Sequence, residues 1–365
     1  MFHVTALFRP LCGFLNFPQR QKHFLEGAMK IHVVFTGGTI GSTASGGVIS
    51  PADSSKSVLL QNYSSIHGND VSFEIVSPYF ALSENLCSDN LNMLISCVRE
   101  IAENGGEKII VCHGTDTLQF SAAALAYAFA GKAVSVVLVS ADHPLGDSRS
   151  NGFENFNGAV RFLKSSNAPG VRVSYKNIGN ECAEILDAEH LLTYPEGSAF
   201  LAEKGYFALN HNENFGKNKA SKKCKNDAFA VGESSAKAAS LADFGIGKVE
   251  FSQRSGVLAL QCVPGCDYCF DLAGKKAVVI RPYHSGTLNT ASLDFQKFCA
   301  DCKEKNIPVF AVSVPAGDIY ESSCAFDSLG IIPLDLTFSN AYIRAWLAPF
   351  KGKALARFMQ ADIAL

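Results

Sequence analysis

Two short glycine-containing turns carry hydroxyl side chains that could attack a carbonyl carbon. Residues 36–41 read TGGTIG and hold Thr39, and residues 113–118 read HGTDTL and hold Thr115 and Asp116. Glycine lets the backbone approach a ligand closely, so that its N–H groups can face a developing oxyanion. A threonine hydroxyl is a poor nucleophile without assistance, and a second hydroxyl beside a carboxylate can assist it. The two turns together therefore suggest acyl transfer by a threonine nucleophile.

Each turn directly follows an apolar run that predicts a buried strand. Residues 31–35 precede the first turn and residues 108–112 precede the second, and residues 115–129 then read as an alanine-rich helix. In a parallel sheet, ligands bind beyond the carboxyl ends of the strands, which is where both turns would lie. Taken alone, each turn is more often structural, because threonine or aspartate at a helix start is usually a cap. Periodicity alone does not bring the two turns together.

Strands and helices alternate in the rest of the chain as well. Such alternation predicts an α/β fold with a mainly parallel sheet, and a length of 365 residues suits two domains. The further predicted strands are residues 134–140, 171–175, 257–262, 277–281 and 308–314, and the further helices are residues 154–163, 292–305 and 339–347.

The composition divides the chain into four segments. Residues 29–210 form the predicted N-terminal catalytic domain, and residues 251–365 form a smaller C-terminal domain. Between them, residues 211–250 are rich first in lysine and then in serine, alanine and glycine, which is typical of a solvated linker. A nucleic-acid arm is disfavoured there because aromatic stacking partners are sparse. Residues 1–28 are interpreted as an N-terminal extension or as the product of an upstream start.

The overall charge and composition favour a small-molecule substrate. A formal net charge of -2 offers no field to attract nucleic acid or a lipid surface. No run reaches about 18 consecutive apolar residues, so no membrane span is expected. The 12 cysteines stand in a long, core-rich chain, where reduced thiols are more usual than a disulfide framework. We therefore expect a cytoplasmic protein that needs no cofactor and no metal.

The two turns, in this order, resemble the signatures of the bacterial-type L-asparaginases and glutaminase-asparaginases. The resemblance implies the two-domain asparaginase-like fold, with a larger N-terminal domain around a mainly parallel sheet and a smaller C-terminal domain around a parallel sheet. Further stretches similar to this family are residues 82–85 (LSEN), 150–155 (SNGFEN), 264–265 (PG), 283–289 (YHSGTLN) and 334–337 (LDLT).

The resemblance also implies roles for the residues of the two turns. Thr39 would be the nucleophile that attacks the side-chain amide of asparagine. Thr115 and Asp116 would belong to a Thr-Asp-Lys relay, and Gly38 and Gly114 would line the substrate site.

Residues outside the turns are assigned by the same resemblance. Ser83 and Glu84 would hold the α-carboxylate and α-amino groups of the substrate, and a carboxylate at position 84 suits an ammonium group. Because the family builds its site between two subunits, Asn289 is expected to complete a neighbour's site. A homodimer or homotetramer follows from this expectation.

The sequence departs from the family at the relay lysine. A gapless count places the lysine position at or near Asp187, where a carboxylate would oppose Asp116 and raise the pKa of one of the two. No lysine occurs between Lys176 and Lys204, and Lys176 is the nearest alternative.

A second departure concerns the lid. Residues 41–47 lack the tyrosine that the family usually has soon after the nucleophile, and Tyr63 is distant in sequence.

Other reactive residues have structural interpretations. His113 could be a base, although a hydrogen-bonded turn residue is favoured, and His284 is open between the two. Two C-x-x-C units have zinc-like spacing, but the second falls within a predicted helix, where thiols usually pack as small apolar groups. The four cysteines are Cys266, Cys269, Cys299 and Cys302.

Three functions remain in competition. The favoured one is hydrolysis of L-asparagine to L-aspartate and ammonia. The alternatives are a catalytically weak homologue that binds an amino acid as sensor or scaffold, and an amidotransferase subunit that supplies ammonia for tRNA-dependent amidation. The last normally calls for an additional N-terminal domain, for which 28 residues are too few. The preference for asparagine over glutamine depends on sub-ångström pocket shape, so it stays open.

Overall fold

The structure is a computed structural model that describes residues 29–45, 48–51, 54–194, 199–202, 238–314 and 320–365. The predicted extension of residues 1–28 lies outside these residues. Most of the predicted linker, residues 211–237, lies outside them as well.

The N-terminal half is built around a six-stranded sheet with the strand order β4-β1-β5-β6-β7-β8. All neighbours in this sheet pair in parallel except the last strand, which is antiparallel to its neighbour. A separate hairpin consists of β2 and β3. The strands are β1 (Met29–Phe35), β2 (Ser42–Ser45), β3 (Val48–Pro51), β4 (Val71–Val76), β5 (Lys108–Cys112), β6 (Ser135–Val139), β7 (Gly170–Tyr175) and β8 (Glu184–Asp187).

Helices cover both faces of this sheet, as the continuous apolar runs of its central strands require. Val34 and Val111 point into a core on one face, and Phe35 and Ile110 point into a core on the other. Every residue of β6 is buried. The first face packs on α2 (Ser88–Glu103) and α3 (Leu118–Ala128), and the second packs on α1 (Ser54–His67) and α4 (Gly152–Ser165).

The C-terminal half is built around a four-stranded parallel sheet with the order β11-β12-β13-β14. An antiparallel pair precedes it, formed by β9 (Leu191–Tyr194) and β10 (Ala199–Ala202). The sheet strands are β11 (Val257–Gln261), β12 (Ala277–Arg281), β13 (Val309–Val312) and β14 (Ile331–Leu334), and the helices are α5 (Leu293–Glu304), α6 (Glu321–Cys324), α7 (Phe326–Leu329), α8 (Phe338–Leu347) and α9 (Gly352–Gln360).

The last part of the predicted linker is structured. Ile246 and Val249 are buried in the core that includes α8 and α9, and Ala239 forms a parallel bridge with Ile363. Residues 238–250 therefore pack with the C-terminal half, and the prediction that they form a solvated linker is wrong. The lysine-rich composition of the preceding segment led to the linker interpretation, although Ile246 and Val249 are apolar and buried.

Buried and partly buried hydrogen bonds join the two halves. The Tyr127 hydroxyl at the end of α3 donates to Asn340 Oδ1 of α8 over 2.5 Å, and Asn340 Nδ2 donates to the Glu189 carbonyl over 2.8 Å. Asn92 of α2 binds both backbone groups of Phe251, donating over 2.8 Å and accepting over 2.9 Å. The helix after the second hydroxyl turn is thus anchored to the C-terminal half.

Within the described residues, no helix is both long enough and apolar enough to span a bilayer.

Candidate active site

The ends of β1 and β5 bring the two hydroxyl turns to the same edge of the sheet. Phe35 is paired with Cys112, the last residue of β5. Immediately beyond this pair, the backbone N–H and the hydroxyl of Thr36 both donate to the Cys112 carbonyl, over 3.1 and 3.0 Å. The turn with Thr39 and the turn with Thr115 therefore begin side by side.

The two turns are in backbone-to-backbone contact, and only glycine permits this approach. A Cβ atom added to Gly38 would lie 2.2 Å from Gly114 Cα. One added to Gly37 would lie 2.2 Å from the Ala81 carbonyl oxygen. Gly37 and Gly38 also have positive φ, at +108° and +74°, where other residues are strained. These two glycines are thus required by close contact as well as by backbone conformation.

A third segment, located after β4, completes the cluster. Gly38 N–H donates to the Ala81 carbonyl over 3.1 Å, and the Thr117 hydroxyl donates to the Ser83 carbonyl over 2.9 Å. The Ser83 hydroxyl donates to Asp116 Oδ2 over 3.3 Å. Ser83 and Asp116, which are 33 positions apart in sequence, therefore form one polar group beside the turns.

Four threonines in the turns differ in the use of their hydroxyls. Those of Thr36 and Thr117 are tied to backbone carbonyls. Those of Thr39 and Thr115 are on half-buried residues and make no hydrogen bond within the described part of the chain. The second pair is therefore available to a ligand, and the first pair holds the backbone.

The remaining predicted ligand-binding residues lie in different surroundings. Gly114 leaves no room for a side chain, because an added Cβ would be 2.3 Å from the Ser83 hydroxyl oxygen. Glu84 is exposed, one residue after Ser83 in a short 3-10 helix. Asn289 is exposed in the loop between β12 and α5, and among the described residues it makes no hydrogen bond to the turn cluster.

His113 supports the second turn from behind. Its Nδ1 lies 2.8 Å from the Gly114 carbonyl oxygen and its Nε2 lies 2.9 Å from the Ser121 hydroxyl. Burial lowers the pKa of His113, so the ring is neutral near pH 7. With both nitrogens engaged, His113 is the hydrogen-bonded turn residue that was favoured over a base.

Tyr79 is a neighbour of the site that the sequence interpretation missed. It lines a small cavity together with Ser83, His113 and Gly114. Burial raises the pKa of Tyr79, so its phenol stays protonated. A single tyrosine in the loop after β4 gives no periodic signal. Tyr63, by contrast, is a core residue whose hydroxyl donates to Asp70 over 3.1 Å.

The expectation that Asp187 opposes Asp116 is wrong. Asp187 pairs with Arg172, which pairs with Val137, two residues before the end of β6. At the usual spacing of strands, β8 is also about 14 Å from β5. The gapless count failed because β8 is antiparallel, so each residue after Glu184 lies farther from the active edge. Burial raises the pKa of Asp187, a local effect remote from the turns.

The paired cysteines are mainly packing residues. Cys299 and Cys302 are buried in the core of the C-terminal half, and burial raises the pKa of each thiol to about 12. Cys269 is exposed. Among the described residues, no group of three or more potential metal ligands includes a cysteine.

Comparisons with known proteins agree with this arrangement. Residues 30–185, which contain both turns, match the family model described as "Asparaginase, N-terminal". The resemblance of the two turns to the asparaginase family is therefore supported over these residues.

Two solved structures have the same overall fold. An L-asparaginase I from Vibrio cholerae has a TM-score of 0.65 at 16% identity, covering 93% of this chain and 100% of that one. The thermostable L-asparaginase from Thermococcus kodakarensis has a TM-score of 0.67 at 18% identity, covering 92% of this chain and 99% of that one. The predicted asparaginase-like fold is therefore confirmed.

Curated relatives include proteins with a different role. One subunit of the glutamyl-tRNA(Gln) amidotransferase of Metallosphaera sedula is 34% identical over 150 residues, or 37% of this chain and 32% of that protein. The same component of the Methanosarcina mazei enzyme is 34% identical over 145 residues, again 37% and 32%. The chain thus spans about a third of the length of the curated relatives it matches.

Proposed function

We propose that the protein hydrolyses the side-chain amide of L-asparagine to L-aspartate and ammonia, with Thr39 as the nucleophile. The observation that supports this most is a pair of hydroxyls, those of Thr39 and Thr115, that lack a hydrogen-bond partner in the described part of the chain and stand on two turns held in direct backbone contact. Free hydroxyls on a rigid glycine framework are what acyl transfer needs, because the nucleophile must be positioned before reaction.

The reaction proceeds in two steps through one covalent ester intermediate. Thr39 Oγ attacks the amide carbon and its proton passes to the leaving nitrogen, with Thr115 and Asp116 assisting the transfer. The C–N bond breaks, ammonia leaves, and an aspartyl ester remains on Thr39. Water then attacks the ester carbon, releases aspartate and restores the hydroxyl. Backbone N–H groups of the glycine turns are suited to stabilise the oxyanion in both steps.

Recognition of the amino acid falls to the segment after β4. The Ser83 hydroxyl can rotate from Asp116 to donate to the α-carboxylate, and the exposed carboxylate of Glu84 is suited to the α-ammonium group. Gly38 and Gly114 keep the floor of the site free of side chains, so the ligand backbone can lie close to both turns.

A second candidate function is ammonia supply within an amidotransferase. The curated relatives favour it, because they are subunits of such an enzyme. The amide chemistry would be the same up to release of ammonia, which would then pass to a partner. The matched part covers about a third of those relatives, so only the chemistry and not the assembly is carried over.

Assays of product balance separate these functions. The purified protein should release ammonia and aspartate in equal amounts from L-asparagine, and the Thr39→Ala variant should release neither. Slow hydrolysis that another protein accelerates would favour the amidotransferase role. Binding of aspartate without turnover by the unsubstituted protein would contradict the proposed function and favour a sensor or scaffold.

We also propose that the protein is a homodimer or homotetramer in which Asn289 completes a neighbour's site. This residue is exposed and makes no hydrogen bond to the turns of its own chain within the described residues. Sedimentation velocity should detect the oligomer, and Asn289→Ala should raise KM without dissociating it. A monomer with full activity would contradict the shared site.

A further inference from the structure

Lys176 lies at the same sheet edge as the hydroxyl turns. It comes directly after β7, whose Ser174 pairs with Val139, and Val139 in turn pairs with Cys112 at the end of β5. Lys176 is therefore two residues beyond the level at which β5 ends. It is half-buried.

Two buried asparagines of α4 and its N-cap hold the backbone of Lys176 on both sides. Its N–H donates to Asn155 Oδ1 over 2.7 Å, and its carbonyl accepts from Asn151 Nδ2 over 3.0 Å. The same asparagines bind the loop after β6, because Asn155 Nδ2 donates to the Ser140 carbonyl over 2.8 Å and Asn151 Oδ1 accepts from Asp142 N–H over 3.0 Å. The position of Lys176 is thus set by main-chain contacts that do not involve its side chain.

The ammonium group of Lys176 is not used within the described residues. It makes no hydrogen bond or ion pair there, although acidic side chains stand on the same edge. One of these, Asp142 in the loop after β6, accepts from Asn151 N–H over 3.0 Å and lies 3.3 Å from His143 Nδ1 instead. The backbone of Lys176 is held in place, and its ammonium group has no partner among the described residues. These two features favour an electrostatic role for the side chain.

The distance to the turns favours action through space. β5 and β7 are separated by β6, so at the usual strand spacing the strand end that carries Lys176 lies about 10 Å from the strand end that leads to Thr115. At about 10 Å and an effective dielectric constant of about 20, two unit charges interact strongly enough to change a rate by roughly ten-fold. L-Asparagine has no net charge near pH 7, whereas the tetrahedral intermediate gains a negative one. A cation at this distance therefore acts mainly on the transition state.

We propose that Lys176 is a supporting residue whose positive charge stabilises the oxyanion formed at the turns. This inference rests on the proposed amide hydrolysis. It assigns the cation of this site to the residue immediately after β7, with Asn151 and Asn155 holding it there.

Charge-removing variants test this role. Lys176→Met should lower kcat on L-asparagine about ten-fold and leave KM nearly unchanged, and Lys176→Arg should restore most of the loss. Lys132→Met is the matched control, because Lys132 is exposed and precedes β6 at the opposite edge of the same sheet. Lys132→Met should leave both kcat and KM unchanged. Because the asparagines bind only the backbone of residue 176, Lys176→Met should unfold at the same temperature as the unsubstituted protein.

Binding of an alkylboronic acid analogue of asparagine provides a readout without turnover. Addition of a hydroxyl oxygen turns the boron into a tetrahedral anion, so Lys176→Met should bind it about ten-fold more weakly and bind aspartate nearly as well as before. Equal losses in Lys176→Met and Lys132→Met, a change in KM alone, or unchanged boronate affinity would overturn the role of Lys176. If the unsubstituted protein does not hydrolyse asparagine, the proposed function fails, and the boronate comparison still decides the role of the charge.

Discussion

The N-terminal sheet, which is mainly parallel, and the C-terminal sheet, which is parallel, each have an edge formed by the carboxyl ends of parallel strands. They differ in the loops that follow those strands. In the N-terminal sheet, the turns after β1 and β5 touch through Gly38 and Gly114, and two hydroxyls have no hydrogen-bond partner among the described residues. In the C-terminal sheet, the loop after β12 closes on itself, with Tyr283 N–H donating to the Thr287 carbonyl over 3.0 Å. Chemistry on a parallel sheet thus depends on turns that meet, and the topology alone does not provide it.

The use of hydroxyl groups follows the same division. In the C-terminal loop the Thr290 hydroxyl donates to the Ser322 carbonyl over 3.1 Å, as Thr36 and Thr117 donate to carbonyls in the N-terminal sheet. Only a hydroxyl without a backbone partner can exchange its proton with a substrate at no cost in structure. Thr39 and Thr115 meet this condition within the described residues.

Closing the gap between the two turns should produce the largest effect. Gly38→Ala would place a methyl group 2.2 Å from Gly114 Cα, so it should destabilise the fold by about 3 kcal/mol and abolish hydrolysis. Gly131→Ala is the matched control, because Gly131 also has positive φ, at +68°, but an added Cβ meets no atom within 4 Å. It should cost only about 1 kcal/mol and retain activity. Denaturant unfolding and ammonia release measure both, and equal losses would refute the contact argument.

Removing a free and a bound hydroxyl should separate catalysis from structure. Thr115→Val should lower kcat about a hundred-fold or more with little change in stability, because its hydroxyl has no partner among the described residues. Thr117→Val should cost about 1 kcal/mol of stability through the lost bond to Ser83 and affect kcat less. If the two variants behave alike in both measurements, the distinction between bound and free hydroxyls is wrong.

The smallest expected effect concerns pH and His113. Burial lowers the pKa of His113 below its ordinary value, so the unfolded chain binds a proton that the folded protein resists. The contribution of neutral His113 to the free energy of unfolding is therefore complete above about pH 6.5. It falls as the pH decreases toward the lowered pKa, by at most about 1.4 kcal/mol per pH unit. His113→Gln should flatten this slope below about pH 6.5. His284→Gln, at an exposed position, should leave the slope unchanged, and a slope retained in His113→Gln would exclude this source.

The regular elements of the N-terminal sheet were predictable because their apolar runs are long and are bounded by glycine turns. The predicted strands at residues 31–35 and 108–112 correspond to Met29–Phe35 and Lys108–Cys112. The direction of β8 was not predictable, because a strand of four residues gives no signal for register. That is why the count along the chain placed Asp187 near Asp116 and the sheet places it elsewhere.

The contacts that make the site were less accessible to sequence reasoning than the residues themselves. Thr39 and Thr115 stood out by their motifs, but the approach of Gly38 to Gly114 depends on the pairing of β1 with β5. Tyr79 gave no pattern at all. Residue chemistry can be identified locally, whereas proximity across 76 positions, as between Thr36 and Cys112, depends on the tertiary fold.

The most direct test of the account is to trap the ester on Thr39. The protein is mixed with L-asparagine, quenched in acid within one turnover, digested, and its peptides are examined by mass spectrometry. We predict an aspartyl group on the hydroxyl of Thr39, absent from Thr39→Ala and reduced in Thr115→Val. An aspartyl group on Thr115 instead, or rapid hydrolysis by Thr39→Ala, would contradict the assignment of Thr39 as the nucleophile.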